Sequence, residues 1–170
     1  GRVQVLDAKV KPYPGRTFYT LDWDNPYFAD VQVDITTPVN VKSTEDTSRS
    51  GLVFYQDSQN YLLINNWMNE SYGGASISCF FHLDGCEEIY DAVWTNVGDR
   101  IGLGMTYTFR IAFDGMNYTA FVDDEPVIYR ALTDIYVKAS PLKINRVGIA
   151  VNWEWGDDTG SIFQDFYAKA

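Results

Sequence analysis

Hydrophobic and polar residues alternate with period two along many short stretches of this chain. In "VQVDI", Val31, Val33 and Ile35 share one face and Gln32 and Asp34 the other. "YTFRIAF" sets Tyr107, Phe109, Ile111 and Phe113 on one side. "VGIAVNW" groups Val147, Ile149, Val151 and Trp153 against Gly148, Ala150 and Asn152. Alternation of this kind marks strands with one buried face. Together with β-branched and aromatic runs bounded by Gly, Pro, Asn and Asp, it predicts strands at Val3–Val10, Thr17–Leu21, Tyr27–Thr36, Gly51–Gln56, Tyr61–Trp67 and Ser76–Leu83. Further strands are predicted at Glu88–Trp94, Thr106–Phe113, Asn117–Val122, Val127–Tyr129, Arg146–Trp153 and Ser161–Ala168. Nowhere does an apolar pattern of helical period last the roughly ten residues a helix needs. The chain reads as all-β with many strands, hence a sandwich or barrel.

The connections are equally specific. "FDGMNYTAFVDDEPVI" predicts two successive hairpins, turning at Asp114-Gly115 and at Asp123-Asp124. "HLDGCE" predicts a tight turn at Asp84-Gly85, which sets Cys86 opposite Leu83 and leaves Cys79 far along the partner strand. A Cys79–Cys86 disulfide would require a wider loop, and the sequence leaves that pairing open. "SIFQDFYAKA" breaks period two between Phe163 and Phe166, which predicts a bulge. The longest polar segment, Thr37–Ser50, reads as a loop.

Composition narrows the partners. A length of 170 residues suits one domain, 1–170, with a substantial core. Hydrophobic content of 46% with 21% charged residues argues against disorder. The aromatic share of 16% exceeds what a core of this size needs and suggests flat contact surfaces. A net charge of -10, with 13 scattered basic residues, argues against nucleic acid and against an anionic membrane surface. No run of 18 apolar residues is present, so no membrane span is expected. The opening "GRVQVLDAKV" lacks the apolar segment of a signal peptide, and Gly1 reads as a processing boundary. The expectation is a domain cut from a larger chain and tethered there to other domains.

The order of segments resembles a known family. "SGLVFYQDSQNYLLI" is followed by "TYTFRIAFDGMNYTAFVDDEPVI", then "RVGIAVNW", then "SIFQDFYAKA". This looks like the concanavalin A-like lectin/glucanase superfamily, in particular its laminin-G-like jelly-roll branch, over roughly residues 27 to 170. The resemblance implies a jelly-roll β-sandwich of two antiparallel sheets. The superfamily holds glycoside hydrolases, polysaccharide lyases, lectins, carbohydrate-binding modules and adhesive domains, so fold alone does not select among them. It also implies a structural Ca²⁺, with Asp165 of "FQDF" at the matching place for a ligand. The competing reading of Asp165 is a carboxylate capping backbone N–H groups at a bulge.

Catalysis finds little support. The E-x-D-x-x-E strand that jelly-roll glucanases use to set a nucleophile beside an acid does not occur. The nearest acidic cluster is "WEWGDD", whose Asp157 and Asp158 read as solvated loop residues. Of the lyase motifs, only Tyr136–Lys138 imitates one. His82 is the single histidine, and no Gly-x-Ser-x-Gly elbow is present. An enzyme would have to use an unfamiliar site, Glu154 with Asp157 or Glu70.

Binding finds more. Sugar rings present C–H faces that stack on aromatic rings and hydroxyls that pair with amides and carboxylates. If Leu62 and Ile64 point to the core, Tyr61, Leu63, Asn65 and Trp67 share the opposite face. The same phase argument turns Ser76, Ser78, Phe80 and His82 outward, and with them Asn152 and Glu154. Trp94 joins this face in one of its two possible phases, while Tyr72 and Trp155 sit in loops that could border it. In the family this side is typically the concave sheet. The bland alternatives are a rim role for Trp67 and a structural role for His82. The leading expectation is a secreted, non-catalytic carbohydrate-binding module, extracellular or at the cell surface. The alternatives are a glycoside hydrolase or lyase with a non-standard acidic site, or a laminin-G-like adhesion domain.

Overall fold

The structure, a computed structural model, describes residues 1–6, 16–23, 29–39, 49–69, 74–88, 95–98, 100–137, 140–152 and 160–169. The described strands are β1 (Arg2–Gln4), β2 (Arg16–Asp22), β3 (Ala29–Thr36), β4 (Ser50–Asp57), β5 (Asn60–Asn69), β6 (Gly74–Leu83) and β7 (Cys86–Glu88). They continue with β8 (Thr95–Gly98), β9 (Thr106–Phe113), β10 (Asn117–Val122), β11 (Glu125–Ala131), β12 (Arg146–Asn152) and β13 (Ile162–Lys169). One helical turn, α1 (Thr133–Tyr136), follows β11.

Two antiparallel sheets form the sandwich. One has the order β1-β13-β3-β9-β10-β11. The other has the order β2-β12-β4-β5-β6-β7, and β8 also pairs with β6, at its opposite end from β7. The inward faces are the ones the alternation predicts. Val31, Val33 and Ile35 of β3 and Phe109, Ile111 and Phe113 of β9 are fully buried. They share one core with Leu62 and Ile64 of β5, Ile77 and Phe81 of β6, and Val147 and Ile149 of β12. Burying an aliphatic or aromatic side chain of this size contributes roughly 1.5–3 kcal/mol, so the two inward faces supply most of what holds the sheets together.

The turns follow residue chemistry. Asp84 and Gly85 both adopt positive φ, 52° and 76°, as a two-residue hairpin of right-handed twist demands. Cys86 pairs with Leu83 in that hairpin, while Cys79 pairs with Ile64 on the other side of β6. Four strand residues span about 13 Å, beyond the roughly 7 Å limit between Cα atoms of a disulfide. The register therefore keeps the two cysteines apart. Asp123 and Asp124 turn the β10–β11 hairpin at φ 49° and 65°. The expected bulge is present: the register of β13 against β3 shifts between Gln164 and Tyr167, with Asp165 at φ 53°.

Three features differ from the sequence reading. β8 and α1 were not expected, and β7 pairs from Cys86 rather than from Glu88; residues 89–94 of that predicted strand lie outside the described residues. The outer face of the six-stranded sheet is polar. There Arg110 grips Asp30 through Nε and Nη2, each 2.8 Å from a carboxylate oxygen, and Thr108 donates to Asp34.

Candidate functional site

The outer face of the seven-stranded sheet is different in kind. Its register sets side chains in rows across the strands. One row runs Asp22, Arg146, Tyr55, Tyr61 and His82 from β2 to β6. The next runs Thr20, Gly148, Val53, Leu63 and Phe80, and the third runs Phe18, Ala150, Gly51, Asn65 and Ser78. Small residues in the middle strands, Gly148, Ala150 and Gly51, let neighbouring side chains lean across the sheet.

They do lean. Phe18 reaches from β2 to Tyr61 of β5, with ring centroids 5.1 Å apart and nearly perpendicular. Tyr61 in turn stacks on His82, 4.9 Å between centroids and 8° between planes. Arg16 donates from Nη1 to the Tyr61 hydroxyl at 2.9 Å, and its guanidinium lies 5.8 Å from the Tyr61 ring and 5.3 Å from that of Phe80. Val53, Tyr61, Leu63, Phe80 and Ala150 are buried here as a second apolar cluster, packed by Phe18, Tyr55 and Trp67. Cation–π and edge-to-face contacts of this kind favour flat, pre-arranged rings.

Asn65 stands in the third row between Gly51 and Ser78 and is fully buried. Its Oδ1 accepts from the Ser78 hydroxyl at 2.7 Å, while its Nδ2 has no hydrogen-bond partner. A buried polar atom left unmet costs roughly 1–3 kcal/mol, so such atoms are uncommon unless they serve something else. Gly51, directly opposite, is required by the close approach: a Cβ there would lie 2.7 Å from the Cβ of Asn65. The next residue, Asn66, points the other way. It accepts from the Ser50 N–H at 3.0 Å and donates to the Tyr107 hydroxyl at 2.7 Å, joining the two sheets.

Asn65, Trp67 and His82 thus share one face with Tyr61, as the strand phase predicts. Trp67 is not an open platform, however. The Arg49 guanidinium covers its ring at 3.3 Å, and Phe80 stacks beside it at 6.3 Å. The backbone of Asn152 pairs with Arg16 at the end of β12; its side chain is outside the description, as are Tyr72, Trp94, Glu154 and Trp155. Glu70 and Asp157, the acidic alternatives, also lie outside the described residues. Asp165 is exposed at its bulge, and no group of three His, Cys, Asp or Glu side chains gathers anywhere among the described residues.

Sequence reading missed Arg16 and Phe18. Period two in "RTFYTLD" puts them on one face, but only the pairing of β2 with β12 shows which face that is. A separate apolar cleft of about 470 Å³ opens between the sheet edges, lined by Val3, Tyr19, Leu21, Val147, Ile149 and Phe163 among others. It contains none of the expected binding residues.

No family model matches the chain, and no curated protein does. Solved structures do. The carbohydrate-binding module CBM66 from Bacillus subtilis superposes with a TM-score of 0.64 at 16% identity, covering 100% of this chain and 94% of that one. A tetrameric galectin from the ball sponge Cinachyrella sp. gives 0.62 at 13% identity, covering 91% and 100%. A xylan β-1,4-xylosidase from Bacillus halodurans C-125 gives 0.62 at 14% identity, with 99% of this chain matched to 32% of the enzyme. At these identities the likeness speaks for architecture alone. Strand order, inward faces and these superpositions agree: the chain folds as a jelly-roll β-sandwich of two antiparallel sheets, the architecture it shares with these structures.

Proposed function

We propose that this chain is a non-catalytic carbohydrate-binding module whose polysaccharide or oligosaccharide ligand lies across the outer face of the seven-stranded sheet. The observation that carries this reading is the array on that face. The stacked Tyr61–His82 pair lines that face, with Tyr61 buried among its neighbours, and buried Asn65 beside it holds an amide N–H with no partner. Aromatic planes and amides are the two chemistries that sugar rings require. The fold shared with a carbohydrate-binding module and a galectin supports the same class. Trp67, fixed beneath Arg49, acts as a wall of the site. The module works outside the cell or at its surface, tethered to other domains, with a structural Ca²⁺ at Asp165.

Isothermal calorimetry and affinity electrophoresis against plant, algal and microbial glycans test it. The expected result is saturable binding to at least one glycan, weakened by Asn65→Ala and His82→Ala. Absence of binding across the panel by a folded protein overturns the proposal. Glycan cleavage that disappears in Glu154→Gln would replace it with an enzyme.

A further inference from the structure

Asn65 is the buried amide of the candidate site, and its surroundings say what it can hold. Its side chain has no exposed surface, and Nδ2 has no hydrogen-bond partner. Ser78, opposite it on β6 and equally buried, explains the orientation of the amide. As it stands, the Ser78 hydroxyl donates to Oδ1 at 2.7 Å, which leaves only the amide nitrogen of the pair unmet. Turned over, the amide would donate to the Ser78 oxygen and leave two groups unmet, the serine O–H and the amide carbonyl. Buried polar groups are costly to leave without partners, so Ser78 holds the amide with its donor free.

What can meet that donor is set by the neighbours. Gly51, across from Asn65 on β4, adds no side chain. Ala150 lies in the same row, and the adjoining row holds Val53, Leu63 and Phe80, all buried in the second apolar cluster. Trp67 and Ser76 form the row on the other side. A sugar hydroxyl placed here would satisfy Nδ2 but bring its own hydrogen, and Ser78 Oγ and Asn65 Oδ1 are already bonded to each other. An acetyl carbonyl oxygen only accepts, and the methyl group beside it suits the apolar side chains. Buried sites select the group that leaves nothing unpaired. Because Asn65 is covered, that group must enter by displacing a neighbouring side chain. Resting on the glycan-binding reading above, we propose that the ligand is an acetylated glycan, with an acetyl carbonyl oxygen accepting from Asn65 Nδ2.

The test is calorimetry with uncharged probes in matched pairs: tri-N-acetylchitotriose with cellotriose, and O-acetylated xylotriose with xylotriose. Each pair shares a backbone and differs in acetylation, so the ratio within a pair reads the acetyl group and not the charge of the face. At least one acetylated probe is expected to bind about tenfold tighter than its partner, the size of one buried hydrogen bond. Which pair shows the preference tells an N-acetyl from an O-acetyl ligand. Asn65→Ala should bring that ratio toward one. Ser78→Ala, which lets the amide turn over, should lower it about twofold by halving the competent orientation; thermal melting confirms that both variants fold. Acetylated probes that bind no tighter than their partners, or a ratio unchanged in Asn65→Ala, overturn the acetyl inference and leave glycan binding standing. Failure of all the probes overturns it as well, and a silent wider glycan panel then overturns the glycan reading too.

Discussion

Asn66 of β5 donates its side-chain N–H to the hydroxyl of Tyr107 in β9, 2.7 Å away, across the interior of the sandwich. Both residues are buried, so this is a polar bolt between the two sheets inside an apolar core. Tyr107→Phe removes the acceptor and leaves the ring. The expected cost is about 1–3 kcal/mol, read as a lower denaturation midpoint with an unchanged slope. A loss well under that range would mean that the bond contributes little.

Asn65, one residue earlier, should behave in the opposite way. Asn65→Ala forfeits only the Ser78 hydrogen bond, so the expected stability loss is about 1 kcal/mol, while glycan affinity falls by about tenfold or more. Paired melting and calorimetry measurements separate the two effects. A variant as tight as wild type would remove Asn65 from the site.

Gly51→Ala tests the same amide from the opposite strand. The added methyl would run into the Ile64 carbonyl oxygen and the Asn65 backbone as well as the Asn65 Cβ at 2.7 Å, so the two strands must move apart, and overpacking of this sort costs about 1–3 kcal/mol or more. Binding should weaken with it, although residue 51 offers a ligand no polar group. Full affinity with full stability would show that the strands simply spread.

The β9–β10 turn predicts a pH dependence. Partial burial pushes the Asp114 carboxyl up, but backbone N–H groups of Met116 and Asn117, 2.8 and 2.6 Å from Oδ1, outweigh it and hold the group below the usual carboxylate range. A depressed value contributes stability above the unfolded carboxyl's pKa, near 3.9, and that contribution is lost as pH falls through the folded value. Asp114→Ala should therefore lower the melting temperature at pH 7 and flatten its decline below about pH 4. Parallel wild-type and variant curves across that window would contradict the assignment.

Calcium is tested at the β13 bulge. If Asp165 holds a Ca²⁺ ion, added calcium should raise the melting temperature of the wild type, a chelator should reverse it, and Asp165→Asn should abolish the response. Equal melting with and without calcium would leave Asp165 as a bulge residue only.

Much of this was legible from alternation. The phases of "VQVDI", "YTFRIAF" and "VGIAVNW" placed their inward residues without any knowledge of pairing, because side-chain direction depends only on the strand itself. The same rule put Asn65, Trp67 and His82 on one outer face. The turns at Asp84-Gly85 and Asp123-Asp124 were legible because few residues tolerate positive φ. What escaped depends on contact between distant segments. Arg16 and Phe18 matter because β2 lies beside β12, and Trp67 is closed because Arg49 sits on it. β8 is four residues without alternation, and α1 is a single turn, so neither carries a periodic signal.

The position of β3 has a kinetic meaning. Ile35 pairs with Tyr107 on one side and with Phe163 on the other. Neither partner strand is near it in the chain, and topologies built on such remote pairings fold in milliseconds to seconds rather than microseconds. Until β13 arrives, β3 presents an open row of backbone donors and acceptors beside an uncovered apolar face, a template for pairing with another molecule. The hazardous moment for this protein is therefore the interval before the place beside β3 is filled, when β13 must reach β3 before a neighbouring chain does.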